Sequence, residues 1–320
     1  MERWEDALRK LASSERLPHA LLVAGPGGSG RQDLARMAAG LVLCEEARSC
    51  GSCGACARAA TGSHPDLLVI EPDDKGVIRL DSVAERAGES DSLSGFLQVA
   101  TFEGRGRAAL MLGADALTRP AQQACLKSLE EPPPDTLLVL VAQGTQEFLP
   151  TILSRVQVMR VPGWPVDRMG DHPWLEHLPQ DQALVLGRWS SGDPALAVEL
   201  EQAGALGVRR ALGDWWSGSE QSWGQAMAAP IPEGRQGASL AARTALAMCL
   251  DGLRCSHGVA PDRTAHGTLL PDDSPLAWEK AVAACIRAVE NLDRNSHADL
   301  VLHNLREDLA LIRMAEVEPT

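Results

Sequence analysis

The sequence predicts an α/β domain followed by an all-α region. From residue 20 to residue 161, short apolar segments alternate with segments of helical spacing, as in a parallel sheet that helices cover on both faces. One apolar segment opens directly into a glycine-rich turn, and beyond residue 173 only amphipathic helical segments follow. With 320 residues, 45% of them hydrophobic, the chain is long enough for two or three domains, and we expect three.

The elements of the α/β domain are predicted from apolar runs and helix caps. Trp4, Leu8 and Leu11, spaced four and three apart, predict a first helix over residues 1–16. The sequence predicts five strands, most of them at apolar runs, and they are Ala20–Ala24, Asp66–Ile70, Ala108–Leu112, Thr136–Ala142 and Val156–Val161. Spacing and candidate caps at Asp81 and Thr118 predict the helices between them, which are Gln32–Cys44, Asp81–Ala87, Thr118–Glu131 and Leu149–Arg155.

Two composition changes divide the chain. Pro162–Pro173 holds three prolines and two glycines and predicts a linker, and a second boundary is predicted near Gly204–Gly207. The expected domains are therefore residues 1–163, 164–205 and 206–320. Two short helices are predicted within Trp174–Ala203. Longer amphipathic helices are predicted at Ala238–Arg254, Leu276–Leu292 and Ala298–Met314.

The glycine-rich turn has the frame of a phosphate-binding loop. Gly25 and Gly30 stand at the two glycine positions, but Arg31 and Gln32 replace the lysine and the hydroxyl residue that contact phosphates and Mg²⁺. Arg31 keeps the charge but spreads it over a planar fork, while Gln32 has no hydroxyl for the metal. A helix N-terminus after such a turn suits an anion. The alternative is a tight strand-to-helix turn that holds no ligand.

The acidic residues of a nucleotide-hydrolysing fold are also missing. They are expected at the end of the strand Ala108–Leu112, where an aspartate holds the metal and a glutamate orients the attacking water. The residues there are Leu112, Gly113 and Ala114, and Asp115 comes too late along the chain. We therefore expect no productive ATP binding and no intrinsic ATPase activity.

Four cysteines crowd into thirteen positions and predict a metal site. Their short spacings let the sulfurs converge, and Gly51 and Gly54 supply permissive backbone. Four thiolates favour one structural Zn²⁺ per chain, because they leave no open position for catalysis. These residues, called the four-cysteine cluster below, are Cys44, Cys50, Cys53 and Cys56.

Other uses of the cysteines are less favoured. Four unligated thiols are one alternative for the cluster. A DNA-binding zinc ribbon is another alternative. However, Arg48 is the only basic residue between Cys44 and Cys56, and the acidic residues Glu45 and Glu46 offset its charge. The remaining cysteines are expected to be small buried or half-buried residues. They are Cys125, Cys249, Cys255 and Cys285.

The charge balance argues against a protein that binds DNA by itself. The formal net charge is -13, so any DNA contact would need a local patch or a partner. Residues 1–11 do not have the pattern of an export signal, and no run of 18 apolar residues occurs. We expect a soluble, cytoplasmic protein without a membrane partner.

Several motifs together resemble one family. They are LPHALLVAGPGGSG at residues 17–30, the four-cysteine insert, HPD at His64–Asp66, KSLEEPP at Lys127–Pro133, TILSR at Thr151–Arg155 and NSHADLVLHNL from Asn295. The combination resembles the delta-prime and gamma/tau subunits of the clamp loader of bacterial DNA polymerase III. The resemblance is good over residues 18–162, and it rests on the order of domains beyond them.

This resemblance implies a fold and a division of labour. The fold would be an AAA+ module, with a RecA-like domain that embeds the zinc site, a small helical lid and a helical collar. Gamma/tau subunits are ATPases, whereas delta-prime subunits are generally inactive. The resemblance implies the inactive, delta-prime type, for three reasons. Arg31 and Gln32 replace the usual residues, the acids after the strand Ala108–Leu112 are missing, and the lid motif at Gly192–Leu196 lacks the usual sensor arginine.

The resemblance also implies partners and a role for Arg155. A ring of five subunits, with gamma/tau ATPases and a delta subunit, would open a sliding clamp and place it on primer-template DNA. Arg155 matches the family's Ser-Arg-Cys arginine, with Val156 in place of cysteine, and would act in trans as an arginine finger on a neighbour's ATP. Alternatively, Arg155 caps its own helix or pairs with Glu147.

Further alternatives remain for the function and for several side chains. The chain could be an active gamma/tau-like ATPase in which Arg31 substitutes for lysine, or a zinc-dependent nucleic-acid-binding protein. Glu130 and Glu131 are expected at a solvated helix end or at a subunit contact rather than in acid–base catalysis. Three tryptophans are either internal or exposed anchors of an interface. They are Trp215, Trp216 and Trp223.

Overall fold

A computed structural model of the chain describes residues 6, 8–10, 17–84, 92–103, 105–217, 235–267, 270, 274–294 and 296–317. The chain divides into two compact units, Met1–Gly163 and Trp164–Thr320. Among the described helices, none is both long enough and apolar enough to cross a lipid bilayer. The further division of the second unit into lid and collar stays a prediction.

The first unit contains a five-stranded parallel sheet. In chain order the strands are β1 (Ala20–Ala24), β2 (Leu67–Ile70), β3 (Arg107–Leu112), β4 (Thr136–Ala142) and β5 (Gln157–Arg160). Their order across the sheet is β2-β3-β4-β1-β5, and Ala20 of β1 pairs with Leu138 of β4. The five predicted strands are confirmed, with ends that differ by one residue at most.

The two central strands are buried on both faces, as their apolar sequences predicted. Every residue of β1 and of β4 is buried. Alternate residues enter two separate cores, because neighbouring side chains of a strand point to opposite faces. Leu22 belongs to one core with helix residues such as Leu129, whereas Leu21 belongs to the other with Leu34.

Helices cover both faces of this sheet. They are α1 (Arg31–Leu43), α2 (Gly54–Ala60), α3 (Leu93–Gln98), α4 (Arg119–Glu130) and α5 (Pro150–Leu153). Sequence spacing predicted α1, α4 and α5 but missed α2 and α3. The helix predicted at Asp81–Ala87 is wrong at its start, where a 3₁₀ turn spans Leu80–Ser82, and residues 85–87 lie outside the described residues.

The N-terminal helix is described only in part. Residues 6 and 8–10 are helical, and the rest of the predicted span 1–16 lies outside the described residues. Leu8 is fully buried against the core that contains Leu21. Leu8 is therefore on the buried face of this helix, as its apolar spacing predicted.

The second unit is helical throughout its described part. Its α-helices are α6 (Gln180–Trp189), α7 (Pro194–Gln202), α8 (Ala205–Trp216), α9 (Arg235–Ser256), α10 (Pro275–Asp293) and α11 (Ala298–Val317). Met169, Leu186 and Ala197 form a small core around α6 and α7. A larger core is formed by residues of the four helices α8, α9, α10 and α11.

The two tryptophans at the end of α8, Trp215 and Trp216, are core residues. The alternative that they are exposed anchors of an interface is therefore wrong. Trp215 and Trp216 are buried, and the Trp216 ring stacks on Trp278 of α10 with centroids 4.9 Å apart. Trp223 lies outside the described residues. The stacked pair ties α8 to α10, which makes it part of the packing of this unit.

A close contact between α9 and α10 gives a test of this core. A Cβ added to Gly252 would lie 2.5 Å from two ring carbons of Trp278. We predict that Gly252→Ala lowers the free energy of unfolding by about 1–3 kcal/mol, since the ring must shift in a packed core. Chemical denaturation of the full chain measures the change.

Gly207 provides the matched control, because it also lies in a helix and a Cβ there meets nothing within 4 Å. Gly207→Ala should leave the free energy of unfolding unchanged or raise it by up to about 1 kcal/mol. Equal stability of Gly252→Ala and the unsubstituted chain would contradict the described packing.

Candidate functional site

The glycine-rich turn joins β1 to α1 at the carboxyl edge of the sheet. The Gly25 N–H donates to the Ala142 carbonyl at 3.1 Å, and a Cβ on Gly25 would lie 2.5 Å from the Val161 carbonyl oxygen. Gly30 precedes α1 with a φ of 82°, a conformation that favours glycine. Both glycines are thus required by the turn itself, whether or not a ligand binds.

The two unusual residues of the turn point to different surroundings. The Arg31 guanidinium donates a hydrogen bond to the Gly25 carbonyl, so its charge lies on the turn's own backbone. The Gln32 side chain is exposed at the start of α1. Ser29 is buried, and its hydroxyl oxygen has no hydrogen-bond partner among the described residues.

The end of β3 holds no carboxylate at the position where acidic residues were sought. Leu112 is buried, Gly113 turns the chain with a φ of 70°, and a 3₁₀ turn spans Ala114–Ala116. The Asp115 carboxylate accepts a hydrogen bond from the Gln143 N–H at 3.3 Å. Asp115 lies three residues beyond the end of β3, and its hydrogen bond stabilises the loop that follows β4.

Arg155 follows α5 and is held by two kinds of contact. Its Nη2 lies 2.6 Å from Glu130 Oε1, at the C-terminus of α4. Its Nη1 donates to the Thr151 carbonyl at 2.9 Å and to the Ser154 hydroxyl at 3.2 Å. In this single chain Arg155 caps its own helix, as one sequence alternative expected, but its acidic partner is Glu130 instead of Glu147. About a third of the side chain stays exposed.

The four-cysteine cluster lies between α1 and α2. Cys44 directly follows α1, and Cys53 directly precedes α2. The Sγ atoms of Cys44 and Cys53 are 3.9 Å apart, those of Cys50 and Cys56 are 4.0 Å apart, and all four lie within 4.8 Å of one another. Sulfurs of a tetrahedral four-thiolate site would be about 3.8 Å apart. The predicted convergence is confirmed, and the cluster is positioned to bind a metal ion.

Backbone geometry explains how so short a segment closes on itself. Gly51 has a φ of 73°, as its predicted permissive role requires. Gly54 has no such role, because it is the first residue of α2. N–H groups point at the sulfurs, with Cys53 N 3.4 Å from Cys50 Sγ and Cys56 N 3.4 Å from Cys53 Sγ. This pattern orients the thiols toward a common centre.

The surroundings act in opposite directions on two of the thiols. Burial raises the pKa of Cys44, but the N–H donors of Cys50, Arg48 and Glu46 outweigh it and lower the pKa to about 6. Burial and the neighbouring thiols raise the pKa of Cys56 to about 12. A bound cation would favour the ionised form of Cys56, whose pKa its surroundings raise.

The HPD segment has a structural task that sequence reasoning missed. The Asp66 carboxylate accepts hydrogen bonds from the N–H groups of Phe102 and Glu103, at 2.7 and 2.9 Å. The Oε1 atom of Glu103 lies 2.5 Å from Nη2 of Arg58 in α2, and its Oε2 atom lies 3.3 Å from Nε2 of the buried His64. These contacts fasten the four-cysteine cluster's helix to the loop before β3. No spacing in the sequence indicates them, because the partners lie about 40 residues apart.

The remaining cysteines behave as predicted. Cys125, Cys249 and Cys285 are buried and Cys255 is half-buried, each without a disulfide. The Sγ atoms of Cys249 and Cys285 lie 3.8 Å apart in the core of the second unit. Burial raises the pKa of Cys125 to about 12, as expected for a small apolar residue.

Comparison with known proteins decides the family. The model of the family described as "DNA polymerase III, delta subunit" matches residues 2–164, which is just over half of the chain. The chain belongs to that family. The sheet, the glycine-rich turn, the four-cysteine cluster and Arg155 all fall inside the matched region.

Curated relatives give the same answer. "DNA polymerase III subunit delta'" of Pseudomonas aeruginosa is 36% identical over 215 residues, which cover 63% of this chain and 61% of the relative. Several further relatives have the same name. "DNA polymerase III subunit tau" of Escherichia coli is 28% identical over 184 residues, 56% of this chain and 27% of that protein. The match thus spans about three fifths of the first relative's length.

One solved structure is similar along nearly the whole chain. It is a gamma subunit-related protein of DNA polymerase III from Thermotoga maritima, with 18% identity, a TM-score of 0.48, and coverage of 98% of this chain and 99% of that chain.

Proposed function

We propose that this chain is a non-hydrolysing, delta-prime-type subunit of the replicative clamp loader. It would act in the cytoplasm with gamma/tau ATPase subunits and a delta subunit, and load the sliding clamp on primed DNA. Family membership and the names of the relatives support the assembly. One observation carries the proposal. The glycine-rich turn is present, but the Arg31 side chain donates a hydrogen bond to the Gly25 carbonyl of the same turn.

In this proposal the first unit is a RecA-like AAA+ domain that no longer uses ATP. Three features support the loss of hydrolysis. Arg31 donates to the Gly25 carbonyl, Gln32 offers no hydroxyl to a metal ion, and the end of β3 lacks a carboxylate. Residues 164–205 would be the lid and residues 206–320 the collar, which is consistent with the separate small core around α6 and α7.

Nucleotide binding can be tested directly on the turn. We predict that titration of the full chain with ATP and Mg²⁺ gives no binding heat. Arg31→Lys combined with Gln32→Thr should restore saturable binding, because a compact ammonium and a metal-binding hydroxyl return to their positions. The double variant should still not hydrolyse ATP, since β3 lacks its acids. Isothermal titration calorimetry and a phosphate-release assay measure the two outcomes.

The rival assignment, an ATP-hydrolysing gamma/tau-like subunit, has one supporting observation. A tau subunit matches this chain over 184 residues. In that case Arg31 would replace the usual lysine and leave the Gly25 carbonyl when nucleotide enters. Saturable binding of ATP by the unsubstituted chain would support this rival and contradict our proposal.

We propose that Arg155 completes the ATP site of a neighbouring subunit. Its guanidinium is partly exposed and is held at the end of α4 by Glu130. A cation that is fixed in advance at a surface can neutralise charge as it develops on a γ-phosphate in trans. In the assembled ring, the phosphate oxygens would compete with the Glu130 carboxylate for Arg155.

Loss of this cation should appear only in the assembled complex. We predict that Arg155→Ala leaves assembly intact, because a surface ion pair contributes little stability. Turnover at the ATP site it serves should fall by about 10³-fold or more, the range of arginines supplied in trans elsewhere. DNA-stimulated ATPase activity of the reconstituted complex measures the effect.

Arg168→Ala is a suitable control, since Arg168 is an exposed, ion-paired arginine of the second unit. Its ATPase activity should match that of the unsubstituted complex. Undiminished turnover with Arg155→Ala, in a complex of normal composition, would exclude the trans role.

We propose that the four-cysteine cluster holds one structural Zn²⁺. Four sulfurs close a tetrahedral site, so no position remains for a substrate or a reactive water. The two arginines of this segment are both paired, Arg48 with Glu46 and Arg58 with Glu103, at 2.5 Å each. A DNA-binding role of the segment therefore has little support, and stabilisation of the link between α1 and α2 is the proposed task.

Metal analysis tests the zinc assignment. Protein purified without chelator should contain about one zinc per chain, because one set of four thiolates forms one site. Cys53→Ser should lose the zinc and lower the melting temperature of the first unit, whereas Cys255→Ser, a half-buried cysteine elsewhere, should keep it. A metal content near zero in the unsubstituted protein would refute the assignment.

A further inference from the structure

A cavity of about 290 Å³ opens in the second unit, and none of its lining residues belongs to a site described above. Its wall is built by the end of α6, one face of α9 and the segment that follows α9. Leu250, Asp251 and Arg254 line it from α9, at positions that share one helix face. The segments meet because the Asp251 carboxylate accepts hydrogen bonds from the N–H groups of Ala265 and His266, at 3.1 and 3.2 Å.

The cavity is strongly cationic in an acidic chain. Three arginines line it, Arg188, Arg254 and Arg263, and Asp251 is the only acidic residue among its lining residues. The Asp251 charge already has two N–H donors and Arg254, whose Nη1 lies 2.8 Å away. Within the part of the chain that the structure describes, neither Arg188 nor Arg263 has a carboxylate partner. Positive charge therefore remains in the cavity, against a chain total of -13.

A buried imidazole supplies an independent sign of a missing acceptor. His266 lines the cavity and is almost fully buried. Its Nδ1 accepts a hydrogen bond from Arg209 Nε at 3.1 Å, so the proton of the neutral ring is on Nε2. Burial and the nearby Arg209 charge lower the pKa of His266 to about 3, which keeps the ring neutral.

This Nε2–H group has no hydrogen-bond acceptor among the described residues. Nδ1 is bonded to Arg209, which is not among the lining residues of the cavity, whereas His266 itself is one of them. Buried donors in native proteins almost always have an acceptor, which is a protein group, a water molecule or a ligand. The ring is held in place by Trp189, whose centroid lies 4.5 Å from that of His266 in an edge-to-face arrangement.

The size and the lining indicate the class of ligand. Forked guanidinium groups and a neutral N–H donor together match the several acceptor oxygens of a phosphate group. The half-buried Trp189 ring, with Leu250 and Val259, gives the same cavity an apolar side. The volume is at the lower end for small-molecule sites, so it suits a compact ligand that has one anionic end.

We propose that this cavity binds a small phosphate ester, with the phosphate near Arg188, Arg263 and His266 and the organic part against Trp189. This proposal does not rest on the proposed clamp-loader function, because it is argued only from residues of the second unit. None of the lining residues belongs to the glycine-rich turn.

Calorimetry on the full chain, without Mg²⁺, tests the proposal with two probes, inorganic phosphate and phenyl phosphate. We expect one saturable site for each, with phenyl phosphate bound more tightly because of the apolar side. Arg263→Gln should weaken both by about tenfold, the usual effect of one charge-assisted hydrogen bond. Arg263 lies in an exposed 3₁₀ turn, so the thermal unfolding of this variant should match that of the unsubstituted chain.

Two further variants locate the binding. Arg243→Gln removes an exposed α9 arginine that pairs with Asp293 outside the cavity, and it should bind both probes like the unsubstituted chain. In protein with ¹⁵N-labelled histidine, phosphate should shift the His266 Nε2–H resonance. The absence of saturable binding would overturn the proposal, and so would equal losses in Arg243→Gln and Arg263→Gln. Loss of binding in Arg31→Gln but not in Arg263→Gln would place the phosphate at the glycine-rich turn, which also overturns it.

Discussion

The complete burial of β1 and β4 is the constraint on which the first unit depends. Both strands are apolar at every position but Thr136, and both are covered on two faces. That burial fixes the carboxyl edge of the sheet, where Gly25 approaches Val161 so closely that no side chain fits between them. Since none of these contacts involves a ligand, the scaffold persists when the residues that would bind nucleotide change.

The candidate functional features of the chain are held by local contacts on this scaffold. Arg31 donates a hydrogen bond to the backbone of its own turn, and Arg155 is positioned by Glu130, its partner at the end of α4. The four-cysteine cluster closes on itself and is fastened to the loop before β3 through Arg58 and Glu103. Each of these features is therefore held by contacts within the first unit, and none of the contacts requires a bound nucleotide.

The sequence predicted those parts of the structure that depend on local pattern. Apolar runs located the strands β1, β3 and β4 most clearly, because a strand buried on both faces needs apolar residues at nearly every position. The six-residue helix α3 was missed, since it is too short to show helical periodicity. The spacing of the cysteines predicted their convergence, because short loops leave few other arrangements.

Contacts between distant residues could not be predicted in this way. Trp216 stacks on Trp278, 62 positions further along, so no local pattern shows that it is buried. The acidic partner of Arg155 was sought at Glu147 by proximity in sequence, but the packing of α4 against α5 provides Glu130 instead. The cationic cavity is likewise built from α6, α9 and the following segment, and only the fold brings their side chains together.

The central claim is that this chain has kept the scaffold of an ATPase without its hydrolytic activity. The most direct measurement is steady-state ATP turnover by the purified full-length chain alone, with Mg²⁺ and with or without primed DNA. The account predicts phosphate release no faster than in buffer under both conditions. Saturable, Mg²⁺-dependent turnover that copurifies with the chain and disappears on substitution of Arg31 would contradict it.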